Sequence, residues 1–145
     1  MENFKKEIWE KDHLDLKYSI LSCSDIKKVI SDIEAQYNIT ISLNTSLFVD
    51  ISKEFKNELT LQHINEPAGF KDLVSLLNLN VLSDSIVNII WNYNKVDQCK
   101  YETLQKYWEY VWYGTSDEMC LLHFPSIQAL IMITDYGAIY YIVLH

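Results

Sequence analysis

The sequence predicts an α+β protein, with several helices packed on a mainly antiparallel sheet that closes in a C-terminal three-stranded meander. Three observations carry that reading. Apolar residues recur at i, i+3, i+4, i+7 through Ile26, Val29, Ile30, Ile33 and Tyr37, and at helical spacing through Phe70, Leu73, Val74 and Leu77, each set forming one helix face. The C-terminal end instead carries three short apolar stretches, MCLLHF, QALIMIT and AIYYIVL, separated by Pro125-Ser126 and by Asp135-Tyr136-Gly137. Two prolines and three glycines in 145 residues leave no room for a flexible linker, so a single domain spanning 1–145 is expected.

In chain order, residues 2–12 suit a short helix with Phe4, Ile8 and Trp9 on one side, and residues 18–21 a strand. Ser24 offers a side-chain oxygen to cap the helix that carries Ile26 to Tyr37. The β-branched and aromatic runs ITISL (39–43) and LFVDI (47–51), joined by Asn44-Thr45-Ser46, predict an antiparallel hairpin. Residues 52–66 carry no decisive pattern. Pro67 suits a first helical position. A further helix is expected from Ser83 with Ile86, Ile89, Ile90 and Tyr93 inward. Another runs from Asp97 with the stripe Tyr101, Leu104, Trp108, Val111 and Trp112, closed by Gly114 in the left-handed position glycine favours. The last two strands are apolar on both faces, Ala129, Ile131 and Ile133 on one and Leu130 and Met132 on the other, which predicts cover on both sides.

Charge narrows the function. The net charge is −8, the pI is about 4.8, and all twelve basic residues are lysine. Without a guanidinium fork, and with so few cations to neutralise phosphates, nucleic-acid binding is not expected. No apolar run approaches the ~18–20 residues that span a bilayer. The charged start MENFKKEIWEKDH lacks the apolar core of a signal peptide, so no membrane partner and a cytoplasmic location are expected. Cys23, Cys99 and Cys120 are scattered and show no CxxC spacing, which points to reduced, largely buried thiols.

Recognisable chemistry is sparse. Cys120, His123 and Asp117 suggest nucleophilic catalysis, but on a strand positions 120 and 123 face opposite sides. His63 and Glu66 form one H-x-x-E half-motif, and a carboxylate-bridged metal pair needs two. Asp12, His13 and Asp15 read as a charged helix end. Phosphate-cradling glycine loops are missing. Neither a cofactor, a metal nor a catalytic residue is expected.

The segment 107–145 stands apart. It holds Glu109, Asp117, Glu118 and Asp135 with no lysine, and much of the aromatic content. In WYGTSDE, Thr115 or Ser116 could cap a turn while the acids keep the loop solvated. Alternatively Tyr113, Thr115, Ser116, Asp117, Glu118, Asp135 and Tyr136 form a contact patch, because an antiparallel meander brings 114–118 and 135–137 to the same end of the sheet. Aromatics there supply rigid contact area and carboxylates steer a cationic partner.

On the stretch WYGTSDE and the hairpin LIMITDYGAIYYI, and in its size and acidity, the chain resembles bacterial immunity proteins of the contact-dependent growth inhibition and polymorphic toxin systems. That resemblance implies binding and neutralisation of a cognate toxin domain, commonly a basic nuclease, by occluding its active site. The alternative is a small enzyme or ligand-binding domain whose site is assembled only in the fold. A third option is a structural subunit of a homo-oligomer.

Overall fold

The computed structural model describes residues 1–41, 47–114 and 117–144. The strands are β1 (Tyr18–Ile20), β2 (Asn57–Thr60), β3 (Ile86–Asn92), β4 (Lys95–Lys100), β5 (Met119–Phe124), β6 (Ala129–Thr134) and β7 (Ala138–Val143). The helices among the described residues are α1 (Asn3–Lys11), α2 (Cys23–Tyr37), α3 (Leu47–Ser52), α4 (Pro67–Leu76), α5 (Tyr101–Lys106) and α6 (Trp108–Val111). Among the described residues the strands form one antiparallel sheet of seven in the order β1-β4-β3-β5-β6-β7-β2. The α+β class and the C-terminal meander are therefore as the sequence predicts. No described helix is long and apolar enough to cross a membrane.

Helices cover both faces of the sheet. Trp9, Phe70, Leu73, Leu104, Trp108 and Val111, from α1, α4, α5 and α6, pack on one face against Val87, Ile89, Cys120, Leu122 and Ile131. Ile26, Ile33, Leu47, Phe48 and Ile51, from α2 and α3, cover the other against Ile90, Leu121, Leu130 and Met132. All six residues of β6 are buried, as its two apolar faces require. Each large apolar side chain so buried contributes about 1.5–3 kcal/mol.

Local chemistry sets the helix limits. Ser22, two positions before the expected Ser24, caps α2 by accepting from the Asp25 backbone N–H at 3.3 Å, and Asn38 ends the helix in the left-handed conformation at φ 53°. Pro67 opens α4 and leaves Phe70 and Leu73 wholly buried. Gly137 makes the β6–β7 turn at φ 82°.

Four expectations are corrected. The segment LFVDI is helix α3, not a strand. Its Leu47, Phe48 and Ile51 fit one helical face and cover a sheet that β-branched content alone suggested they would join. The proposed turn Asn44-Thr45-Ser46 lies outside the described residues. The segment from Ser83 is not a helix but contains β3. Ile89 and Ile90 belong to opposite cores, as adjacent residues of a doubly covered strand must. The segment from Asp97 begins in β4 and becomes helical only at Tyr101, with a break at Tyr107 (φ −114°) between α5 and α6. Its stripe from Tyr101 to Trp112 is nevertheless buried throughout. Gly114 is not left-handed; a Cβ there would lie 2.6 Å from Asn65 Oδ1, so close approach accounts for the glycine.

Candidate functional site

The meander brings part of the predicted patch together. Met119 pairs with Thr134, and the Asp135 backbone N–H donates to the Glu118 carbonyl at 2.9 Å, so Glu118 and Asp135 sit side by side at one end of β5–β6. Both are exposed, Tyr136 beside them is 70% exposed, and neither carboxylate has an ion pair among the described residues. Thr115 and Ser116 lie outside the described residues.

Asp117 departs from expectation. It is buried, and its Oδ2 accepts from Lys5 Nζ at 2.6 Å and from the Tyr113 backbone N–H at 2.9 Å. The anticipated exposure of this acid, uncompensated by lysine, is thus corrected: the compensating cation comes from α1, at the other end of the sequence. Lys5 is itself wholly buried, donates to the Val111 carbonyl at 2.8 Å and sits 4.1 Å from the centre of the Trp91 ring. Burial lowers its pKa, and the bond to Asp117 opposes that shift. Tyr113, half-buried, meets Phe4 edge-on at 5.5 Å, and burial raises its phenol pKa. Below this pair, Trp91 Nε1–H and the Met1 amino group both donate to Asp97 Oδ2 at 2.8 Å. Lys95 lines the depression that also holds Glu118, but it is engaged by Glu2 at 2.9 Å.

A second constellation lies at the opposite end of β5, on the α2 side. Strand register aligns Ser19 with Gln98, Gln98 with Asn88, and Asn88 with His123 across β1, β4, β3 and β5. On one side this row of polar residues borders the apolar row of Ile90, Val96 and Leu121, which belongs to the core beneath α2 and α3. Three of its members are chained by hydrogen bonds. Gln98 Nε2 donates to Asn88 Oδ1 at 2.8 Å, and Asn88 Nδ2 is 3.2 Å from His123 Nδ1. His123 Nε2 in turn is 3.0 Å from Gln36 Oε1 of α2. Because Gln98 occupies the Asn88 oxygen as a donor, Asn88 presents its NH2 to Nδ1, and the proton of a neutral His123 lies on Nε2, donated to Gln36. Burial drives the His123 pKa down to about 4, opposed in part by the negative charge of Asp32.

His123 and Gln36 border an open recess of about 470 Å³ between α2 and β5. Cys120, by contrast, lies in the core on the far face of the sheet, as side-chain alternation requires, so thiol and imidazole do not meet. The other sequence candidates separate as well. His63 pairs with exposed Asp72 at 2.9 Å, Cys23 is exposed where a buried thiol was expected, and Cys99 and Cys120 are buried. Among the described residues no group of three or more His, Cys, Asp or Glu is placed to hold a metal ion. Sequence reasoning considered His123 only with Cys120 and Asp117 and missed its row. The available signal was a polar residue at an inward position of two otherwise apolar strands, Asn88 in IVNIIW and His123 in MCLLHF.

The chain matches no known protein family, no curated protein and no solved structure.

Proposed function

We propose that this chain is a protein-binding inhibitor of the immunity type: it binds a basic, nuclease-like bacterial toxin domain in the cytoplasm and neutralises it by steric and electrostatic occlusion. The single observation that carries the reading is the end of the meander, where Glu118 and Asp135 stand adjacent, exposed and without a cationic partner among the described residues, next to a largely exposed Tyr136. Carboxylates in this setting raise the association rate of a cationic protein, and a rigid aromatic beside them supplies contact area at low entropic cost. Lys5 removes Asp117 from that surface, so its role is to fix the loop that presents Glu118. Tyr113 is likewise a supporting residue, held by Phe4 and by its backbone bond to Asp117. The enzyme alternative draws on His123 alone, whose two nitrogens are both occupied and whose nearest nucleophile in sequence, Cys120, faces the other way.

The test is co-expression with a toxin domain encoded beside this chain. A 1:1 complex and rescue of growth are expected. Replacing Glu118 and Asp135 together by lysine is expected to slow association severalfold and to flatten its dependence on salt. An association rate with unchanged salt dependence removes these acids from the interface.

A further inference from the structure

We infer that the recess between α2 and β5 receives the guanidinium group of an arginine side chain projecting from the protein partner. This inference rests on the reading of the chain as a binder of a basic protein, and it assigns that partner a second point of attachment.

The chemistry of the recess selects the group. Its polar wall is formed by Asp32, Gln36, Asn88 and His123, and its apolar rim by Val29, Ala35 and Pro125. Among the described residues no cationic side chain lines it, so an anionic ligand meets the Asp32 carboxylate without a compensating cation. Asp32 is exposed and has no ion pair among the described residues, including with Lys28 one turn earlier. Asp32 and Gln36 stand at i and i+4 on α2, a spacing that sets their Cβ atoms about 5–6 Å apart on one helix face. Two acceptors at that spacing suit the fixed, planar fork of guanidinium donors better than the single point charge of an ammonium. The apolar rim matches the methylene stem of such a side chain.

The polar row explains why Gln36 presents oxygen. Each member donates to the next, from Gln98 through Asn88 and His123, and the sequence of dipoles ends on Gln36 Oε1. That oxygen keeps a second lone pair for an incoming N–H, and a chain of aligned hydrogen bonds polarises it further. A neutral imidazole behind it adds no repulsion toward a cation. Gln98, Asn88 and His123 are therefore positioning residues, while Asp32 and Gln36 make the contact.

The test uses blocked amino acids, with the side-chain amide signals of Gln36 and Asn88 followed by 1H–15N NMR. N-acetyl-argininamide is expected to shift both signals saturably. N-acetyl-citrullinamide, its neutral isostere, is expected to bind about tenfold or more weakly, as is N-acetyl-argininamide to Asp32→Asn, since a hydrogen bond to a charged group is worth about that factor. Asp32 is exposed, so this variant keeps the fold. Free L-arginine is expected to bind no more tightly than the blocked form, because no cation among the described residues lines the recess to pair its α-carboxylate. The inference is overturned by no saturable shift, by equal binding of the citrulline compound, by an unaffected Asp32→Asn variant, or by free arginine binding more tightly than the blocked form. Because the probes are small molecules, failure here leaves the meander-end reading standing. Failure of the co-expression test with success here leaves a guanidinium site and removes the toxin as its owner.

Discussion

Replacing Lys5 by methionine tests whether the buried pair with Asp117 fixes the loop beneath the acidic end. The substitution keeps an unbranched stem of similar length but removes the charge. Asp117 then loses its 2.6 Å partner and keeps only the Tyr113 N–H at 2.9 Å, while the Val111 carbonyl loses a donor at 2.8 Å. Removing one member of a buried ion pair costs about 3–5 kcal/mol. The retained backbone bond to Asp117 sets the expected loss near the lower end, about 3 kcal/mol, which for a chain of this size lowers Tm by roughly 6–12 °C. Asp117→Asn is expected to cost a similar amount, because it leaves Lys5 as an unpaired buried cation. The double variant leaves no unpaired charge, so it is expected to lose about 2 kcal/mol less than the sum of the two singles. Urea unfolding followed by far-UV circular dichroism is the appropriate assay, since Trp91 fluorescence would itself report the loss of the lysine above its ring. A Lys5→Met variant within about 0.5 kcal/mol of the parent, or strictly additive singles, would refute the reasoning.

His123 makes stability depend on pH with a definite sign. Its folded pKa of about 4 lies below the ordinary 6.5, so the unfolded chain takes up a proton first. The contribution is therefore complete above about pH 6.5 and is lost as pH falls toward about 4, amounting to roughly 3 kcal/mol. His123→Phe should remove that share of the acid destabilisation, and identical pH profiles for the two proteins would contradict the neutral, buried imidazole. At Gly69 an added Cβ would collide with the His63 carbonyl oxygen, a backbone atom. Gly69→Ala is thus expected to lose at least about 2 kcal/mol in urea unfolding, against a smaller loss for Gly114→Ala, whose clash is with the movable Asn65 side chain. The lysine substitutions at Glu118 and Asp135 should leave stability within about 0.5 kcal/mol of the parent, because both side chains are exposed, so their effect on association can be read cleanly.

Segments with one unambiguous period were legible from sequence. The faces of α2 and α4 each have a single geometric solution, the short apolar runs of β5 to β7 are set off as strands by the turn residues between them, and Gly137 marks the last hairpin. The errors fell where periods coincide. Ile86, Ile89, Ile90 and Tyr93 satisfy a helical face, yet Ile86, Ile89 and Ile90 equally suit a strand between two helical layers, and only the existence of the second layer decides between them. Leu47, Phe48 and Ile51 pose the same ambiguity in reverse. The site shows a similar division. The nearness of Glu118 and Asp135 follows from meander connectivity, a local property. The capture of Asp117 by Lys5, 112 positions away, leaves no mark in either neighbourhood. The alignment of Ser19, Gln98, Asn88 and His123 depends on three separate strand registers, none fixed by spacing along the chain.

The strand order also dictates when folding can finish. The five inner strands β4, β3, β5, β6 and β7 all come from Ile86 onward, whereas among the described residues the earlier part of the chain supplies the two outermost, β1 and β2. At translation speeds of about 5–20 residues per second, α2 and α4 emerge from the ribosome several seconds before any surface exists on which to lay them. The nascent N-terminal half must therefore wait with its apolar faces uncovered, and this chain should depend on holding chaperones more than a protein of equal size whose central strands are made first.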